Sequence, residues 1–328
     1  MDRFSPKLVT VFGGSGFVGT HLAQALARHG YRVRIAVRRP NLAGEAVMLG
    51  GVGQIVPIQA NLRNEASVQR AAAGADIVIN LVGIGYEAGK QTFRAVNSEG
   101  AGTVARAARA AGAEALVHVS ALGIEEGARV SAYAESKLEG EKAVLEAFPQ
   151  AVILRPSLMF GQGDGFFNKM GAIARMLPFM PVISGDTRFQ PVHVGDVADA
   201  IVLAAEGKVK TGRIYELGGP DIETHRDLLA RVLREADRKR PLVAMPAGIA
   251  RLMAGALSIL PFKPFVTGDQ IALLGVDNVV SEAAIKDKRS LAAFGIEPMS
   301  MDKVLPQYMW RFRKHGQFDR PNAQGVTG

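Results

Sequence analysis

Tyr133 and Lys137 stand four residues apart in the stretch YAESK, a spacing that sets both side chains on one face of a helix. A phenol beside an ammonium can serve hydride transfer as a proton donor, because nearby positive charge favours the tyrosinate and lowers its pKa towards neutrality. The same residues also fit an ordinary amphipathic turn, or the relic of such a site that now only holds a cofactor. Ser120 ends the apolar run ALVHVS thirteen residues ahead of Tyr133, which favours a reductase-type site over coincidence.

VTVFGGSGFVGTHLAQALA sets Gly13, Gly16 and Gly19 as G-x-x-G-x-x-G between a strand and a helix. The three glycines suit a tight turn, close approach of backbone to a pyrophosphate, and close helix–strand packing. The helix N-terminus then offers N–H groups and partial positive charge to the phosphates. An NAD site carries an acid roughly 20 residues beyond the glycines. Here RVRIAVRRP ends in Arg38 and Arg39, and no acid lies between Asp2 and Glu45. Guanidinium groups pair with phosphate, so the expected dinucleotide is NADP(H), not NAD(H).

The elements that position these groups alternate along the chain. KLVTVFG, YRVRIAVR, QIVPIQA, ADIVINLVG, ALVHVSALG and AVILRPS read as strands; GTHLAQALARHG, NSEGAGTVARAARAAG and the YAESK segment read as helices. Such alternation predicts an α/β fold, a Rossmann-type doubly wound parallel sheet, followed by a smaller C-terminal lobe. The expected division is a dinucleotide-binding domain over residues 1–215 with a loop insertion about 160–189, a lobe over 216–300, and a basic-aromatic tail over 301–328.

The absence of cysteine from all 328 residues excludes disulfides, thiolate nucleophiles and iron–sulfur ligation. The net charge of +8 gathers at the ends: residues 1–40 carry seven Lys/Arg against one acid, and residues 225–328 carry sixteen against ten. No nucleic-acid module accompanies it. The apolar stretch 241–262 is interrupted by Pro246, Arg251 and Pro261, short of the about 20 residues a membrane span needs. The opening MDRFSPKLVT lacks the apolar run of a signal peptide.

Residues 7–215 resemble the short-chain dehydrogenase/reductase superfamily in its extended and atypical branches. The matching residues are the three glycines, Asn61-Leu62, Asn80-Leu81-Val82-Gly83, Asn97, Ser120, Tyr133 and Lys137. The resemblance implies that the serine and lysine orient and activate the tyrosine. It further implies dinucleotide contacts from Gly13, Ser15, Gly16, Phe17, Val18, Gly19, Asn61, Leu62, Leu81, Val82, Gly83, Asn97, Ser120, Tyr133, Lys137 and Pro156, beside Arg38 and Arg39. Asn61 departs from the pattern, since many relatives have Asp beside the adenine.

Beyond that core the chain is similar to the short-chain-dehydrogenase-like accessory subunit of respiratory complex I, the NADH:ubiquinone oxidoreductase. The likeness rests on EKAVLEAFPQAVILRPSLMFGQGDGFFNKM, FQPVHVGDVADAI, and PFKPF followed by TGDQ. It implies a subunit that holds NADPH, lies off the electron path, and docks on the peripheral arm. Its implied partners are the other complex I subunits and an anionic membrane surface, on the cytoplasmic face of the inner (plasma) membrane, without nucleic acid or metal. Ser120, Tyr133 and Lys137 would then be a vestigial catalytic set. A free-standing NADP-dependent reductase or epimerase, and an NADPH-sensing binding module, stay open beside it.

Other residues invite bland readings. His193 reads as a structural strand-end histidine, Asp196 as a helix N-cap, and His21 as a surface residue. Asp164 among Gly161, Gly163 and Gly165 reads as part of a flexible loop near the nicotinamide end, since it lacks the ligand count of a calcium site. Tyr308, Trp310, Arg311, Phe312, Arg313 and Lys314 offer a docking surface or the packed face of a C-terminal helix.

Overall fold

A computed structural model describes residues 6–258 and 267–314. PFKPF and the segment beyond Lys314 therefore lie outside the described residues. Seven parallel strands form the central sheet: β1 (Leu8–Phe12), β2 (Arg32–Val37), β3 (Ile55–Gln59), β4 (Ile77–Asn80), β5 (Ala115–Val119), β6 (Val152–Pro156) and β7 (Ile214–Leu217). Their order is β7-β6-β5-β4-β1-β2-β3, and every neighbouring pair is parallel. Strands such as Ile77–Asn80, buried at every residue, have no polar face because helices cover both sides of the sheet.

On one face α1 (Phe17–Arg28) packs with the helix Val194–Ala205, and Leu22, Leu26, Ile35, Val197 and Ile201 share one core cluster. On the other face lie α2 (Glu65–Ala72), α3 (Glu99–Ala110) and α4 (Ala132–Ala147), with Val68, Val104 and Val144 in a second cluster. A buried ion pair locks α4 to the sheet: Arg155 on β6 donates to both oxygens of Glu141 at 2.9 and 2.7 Å and to Glu125 at 2.8 Å.

A third cluster lies away from the sheet. It joins Phe160, Phe167, Leu228, Leu229 and Val232 to Met301, Leu305, Tyr308, Met309 and Phe312. Of the two readings open for this stretch, Tyr308 and Phe312 follow the packed-helix one and are buried in the protein's own lobe, while Arg311 is exposed. The insertion holds a helix of its own, Phe166–Met176. The Asp164 carboxylate caps it, accepting the Phe167 N–H at 2.7 Å and the Tyr308 hydroxyl. Asp164 is buried, so the flexible-loop reading of this residue is corrected: the carboxylate is fixed by its donors.

Candidate functional site

The glycine loop joins β1 to α1 where the strand order reverses between β1 and β4, the crevice in which doubly wound sheets bind ligands. The Gly13 N–H donates to Ala36 O at 3.0 Å and the Gly16 N–H to Gly13 O at 3.1 Å. A Cβ on Gly19 would come within 2.6 Å of the Gly14 Cα, so the helix can sit directly on the loop only with glycine there. α1 begins without a side-chain cap or an acid in its first turn. Its first N–H groups and the positive end of its dipole are therefore left for an anion.

A cavity of about 290 Å³ opens here. Among the expected residues, Gly13, Ser15, Gly16, Arg38, Asn61, Leu62, Leu81, Val82 and Gly83 line it. Phe17, Val18 and Gly19 form the first turn of α1 instead, and Arg39 is exposed outside the lining. Arg63, Ile84, Gln91 and Val96 join the lining without having been singled out from sequence. Arg38 donates to Gln91 Oε1, which fixes one guanidinium at the rim. The one available signal for Arg63 is its place two residues after Asn61, whose Oδ1 accepts the Arg63 N–H at 3.2 Å.

Ser120, Tyr133, Lys137 and Pro156 lie outside that lining. Pro156 ends β6 and its carbonyl accepts the Leu122 N–H at 3.0 Å. Asn97 sits in a π-helical turn, Arg94–Ser98, a local irregularity frequent at functional sites. Its Oδ1 accepts the Ile84 N–H at 2.9 Å, and its Nδ2 donates to Ile84 O and Ser136 Oγ, both at 3.1 Å. Helix α4 reaches this turn because Gly140 has no side chain; a Cβ there would lie 2.2 Å from Asn97 O. Lys137 Nζ and Asn97 Oδ1 both approach Gly83, each 3.7 Å from where a Cβ would stand. Lys137 and Asn97 thereby connect the cavity to the helix that carries Tyr133.

The electrostatics run against the expected activation. Lys137 is buried and its Nζ donates to Val119 O at 2.9 Å; loss of water pulls its pKa down to about 8 against the pull of Glu141. Tyr133 is pushed up to about 12, first by removal from water and then by the Asp269 carboxylate. The lowered tyrosine pKa expected from its lysine neighbour is therefore not realised: burial and the Asp269 carboxylate raise it, and the ammonium bonds the Val119 carbonyl instead of the phenol. Tyr133 packs edge-on against Phe93 at 5.9 Å, and its hydroxyl has no hydrogen-bond partner among the described residues. Ser120 Oγ is buried and also unpartnered among the described residues, a state that invites a ligand partner. The orphaned serine, the uncapped helix and the glycine cradle together fit a dinucleotide.

Sequence reasoning missed two further contributors. The helix Gly268–Leu273 closes over the tyrosine end: Asp269 accepts from Ser131 Oγ at 2.7 Å and the Ala132 N–H at 2.8 Å, and Gln270 Nε2 donates to Gly85 O at 3.2 Å. Beneath the site, fully buried His118 receives the Asn80 amide on Nδ1 at 3.1 Å, and burial, then Lys137, hold its pKa well below the usual imidazole range. His193 itself is the residue preceding the helix Val194–Ala205, and Asp196 lies inside the first turn. Asp196 is thus not the cap; its Oδ2 accepts the Met299 N–H at 2.7 Å. His21 is half-buried against Phe17 at 5.6 Å rather than a surface residue.

Fold and site together define a dinucleotide-binding α/β protein. Residues 9–218 match the NAD dependent epimerase/dehydratase family, and the chain belongs to that family. Within it, the chain is 34% identical over 322 residues to the NADH dehydrogenase (ubiquinone) 1 alpha subcomplex subunit 9, mitochondrial, of Arabidopsis thaliana, covering 94% of this chain and 79% of that one. A ceramide reductase of Caulobacter vibrioides is 36% identical over 195 residues, 60% of each chain. The solved NADPH-dependent quinone oxidoreductase of Escherichia coli shares the fold, with a TM-score of 0.68 at 18% identity over 91% of this chain and 97% of that one. Among the described residues no helix is long and apolar enough to cross a membrane.

Proposed function

We propose that this chain is an accessory or assembly subunit of respiratory complex I that holds NADPH, docks on the peripheral arm at the cytoplasmic face of the membrane, and stays off the electron path. The observation that carries this reading is the reach of the likeness to a complex I subunit, which runs from the glycine loop through the C-terminal lobe. The site supports a holding role. Gly13, Gly16 and the start of α1 would take the pyrophosphate, Arg38 and Arg63 the phosphate on the adenine ribose, and Lys137 the other ribose. When bound, the nicotinamide would supply hydride chemistry. Burial and the nearby Asp269 carboxylate raise the Tyr133 pKa and so favour its protonated form, which suits retention better than turnover. Ile249 and Leu252, 52% and 77% exposed on the helix Ala247–Ser258, offer an apolar face to neighbouring subunits.

A second reading is a free-standing NADP-dependent reductase, favoured by the complete Ser120–Tyr133–Lys137 set and the likeness to a ceramide reductase. Native purification from gently solubilised membranes, followed by mass spectrometry, separates the two. Co-migration with the NADH:ubiquinone oxidoreductase, with NADPH retained by a Tyr133→Phe variant, is the expected result. A small species that reduces carbonyl compounds with NADPH, and loses that activity on Tyr133→Phe, would overturn the subunit reading.

A further inference from the structure

The glycine loop, Arg38, Asn61 and Leu81 all leave the C-terminal ends of their strands. At the other end of the sheet, where the chain enters β7, lies a second cavity of about 480 Å³, within the range of about 300–1,000 Å³ usual for small-molecule sites. Lys208, Lys210, Arg213, Lys288 and Arg289 line it, with Asp287 the one acid among the described residues. That acid is already taken, since Arg289 Nη2 donates to it at 3.2 Å. Lys208, Lys210, Arg213 and Lys288 have no carboxylate partner among the described residues. Lys7, Arg94 and Arg188 find one elsewhere and the exposed Arg129 and Lys142 do not, so what sets this group apart is that five cations line one concave surface.

The backbone around the cavity is set. Tyr215, in its wall, donates its hydroxyl to Lys210 O at 3.0 Å and packs edge-on against Phe294 at 5.1 Å. Arg289 also donates to Ile214 O at 3.0 Å. Lys288 has a φ of +52° and follows the helix Glu282–Lys286, whose end is closed by the Arg289 N–H on Ala284 O at 2.7 Å. Such a position after a helix favours glycine. Here it carries a lysine, so a strained conformation is kept where it adds a cation to the rim. Unpaired like charges around one concave surface repel one another, and a multivalent anion relieves that repulsion.

We propose that this cavity is a binding site for a phosphate group, presented either by free phosphate or by an anionic phospholipid headgroup. The proposal is independent of the complex I reading and of the dinucleotide site. It is tested on the full chain saturated with NADP, using inorganic phosphate in calorimetry, and flotation with phosphatidylcholine vesicles with and without phosphatidylglycerol. Binding of inorganic phosphate assigns the free anion. Binding of phosphatidylglycerol vesicles alone assigns the headgroup. In either case Lys210→Gln/Lys288→Gln should weaken binding about fivefold for each cation removed, while Arg129→Gln/Lys142→Gln, exposed cations elsewhere, should not. Both lysines are exposed, and an unchanged melting temperature verifies the fold. Failure to bind either probe, or binding that the lysine variant leaves intact, overturns the proposal.

Discussion

The Asp269 carboxylate accepts the Ser131 hydroxyl at 2.7 Å, and so a residue of the C-terminal lobe caps the helix that carries Tyr133 and Lys137. Ser131 Oγ in turn accepts the Ala134 N–H at 3.2 Å, while the second Asp269 oxygen takes the Ala132 N–H at 2.8 Å. A negative charge at a helix N-terminus is favourable. Here it also stands where it opposes ionisation of the tyrosine.

Replacing Asp269 by Asn keeps the volume and removes the charge. The Tyr133 pKa should fall from about 12 towards its ordinary value, read as the titration missing from a Tyr133→Phe difference spectrum. The weaker cap should cost about 1–3 kcal/mol. An unmoved tyrosine titration would show that burial alone holds the phenol.

Lys137 gives stability a pH dependence of definite sign. Its folded pKa, about 8, lies below its ordinary 10.5, so between these values the unfolded chain binds more protons and stability rises with pH. The gain is roughly 3 kcal/mol, complete by about pH 10.5. Tyr133 works in the other direction above pH 10: its raised pKa gives stability that is full below 10 and lost as pH climbs through 12. Lys137→Met should abolish the rising limb between pH 8 and 10.5 in denaturant titrations, and weaken NADPH retention. A variant that keeps the same limb would assign it to another group.

Arg38 and Arg39 look equivalent in sequence but occupy different places, one in the cavity wall and one outside it. Arg38→Asp should cut the preference for NADP over NAD by about tenfold or more, the worth of a charge-assisted contact. Arg39→Asp should leave it within a factor of about two, the small effect of a screened surface charge. Competitive binding of the two dinucleotides measures both. Equal losses from the two variants would mean that Arg39 also reaches the phosphate.

On the proposed subunit reading, the exposed Ile249 and Leu252 of the helix Ala247–Ser258 are the surface for docking. Ile249→Asp/Leu252→Asp changes two exposed residues, so melting temperature and NADPH binding should stay near those of the parent. Recovery with the solubilised complex should collapse, because a charge buried at an interface without a partner costs several kcal/mol. Undiminished recovery would move the docking face elsewhere.

The first six strands were legible because they are short apolar runs alternating with helical segments, and the glycine loop announced its own helix. β7 was not. IYEL has four residues, and its buried Glu216 reads as a surface charge until Ser281 is seen to donate its backbone N–H to that carboxylate at 2.7 Å. The cavity floor followed from the loop motif, whereas Gln91 and Asp269 did not. They reach the site from segments about 50 and 140 residues away from their partners Arg38 and Ser131, and local periodicity carries no record of such contacts.

The C-terminal segment supplies the last test. Sequence alone allows the chain to end near residue 298 with its fold intact, because the glycine loop and sheet lie upstream. The structure argues otherwise: Leu305 and Met309 are fully buried, packed in one cluster with Phe167 and Leu229. Leu305→Ala should cost about 2–5 kcal/mol in denaturant unfolding. Tyr308→Phe, which leaves the buried Asp164 carboxylate without its hydroxyl donor, should cost about 1–3 kcal/mol. Removing residues 299–328 deletes several such side chains together, against a total stability of only about 5–15 kcal/mol for a typical protein. The shortened chain should therefore lose the cooperative melting of the lobe. If it unfolds at the same denaturant concentration as the full chain, the third core does not depend on this segment, and residues 301–312 are available for docking after all.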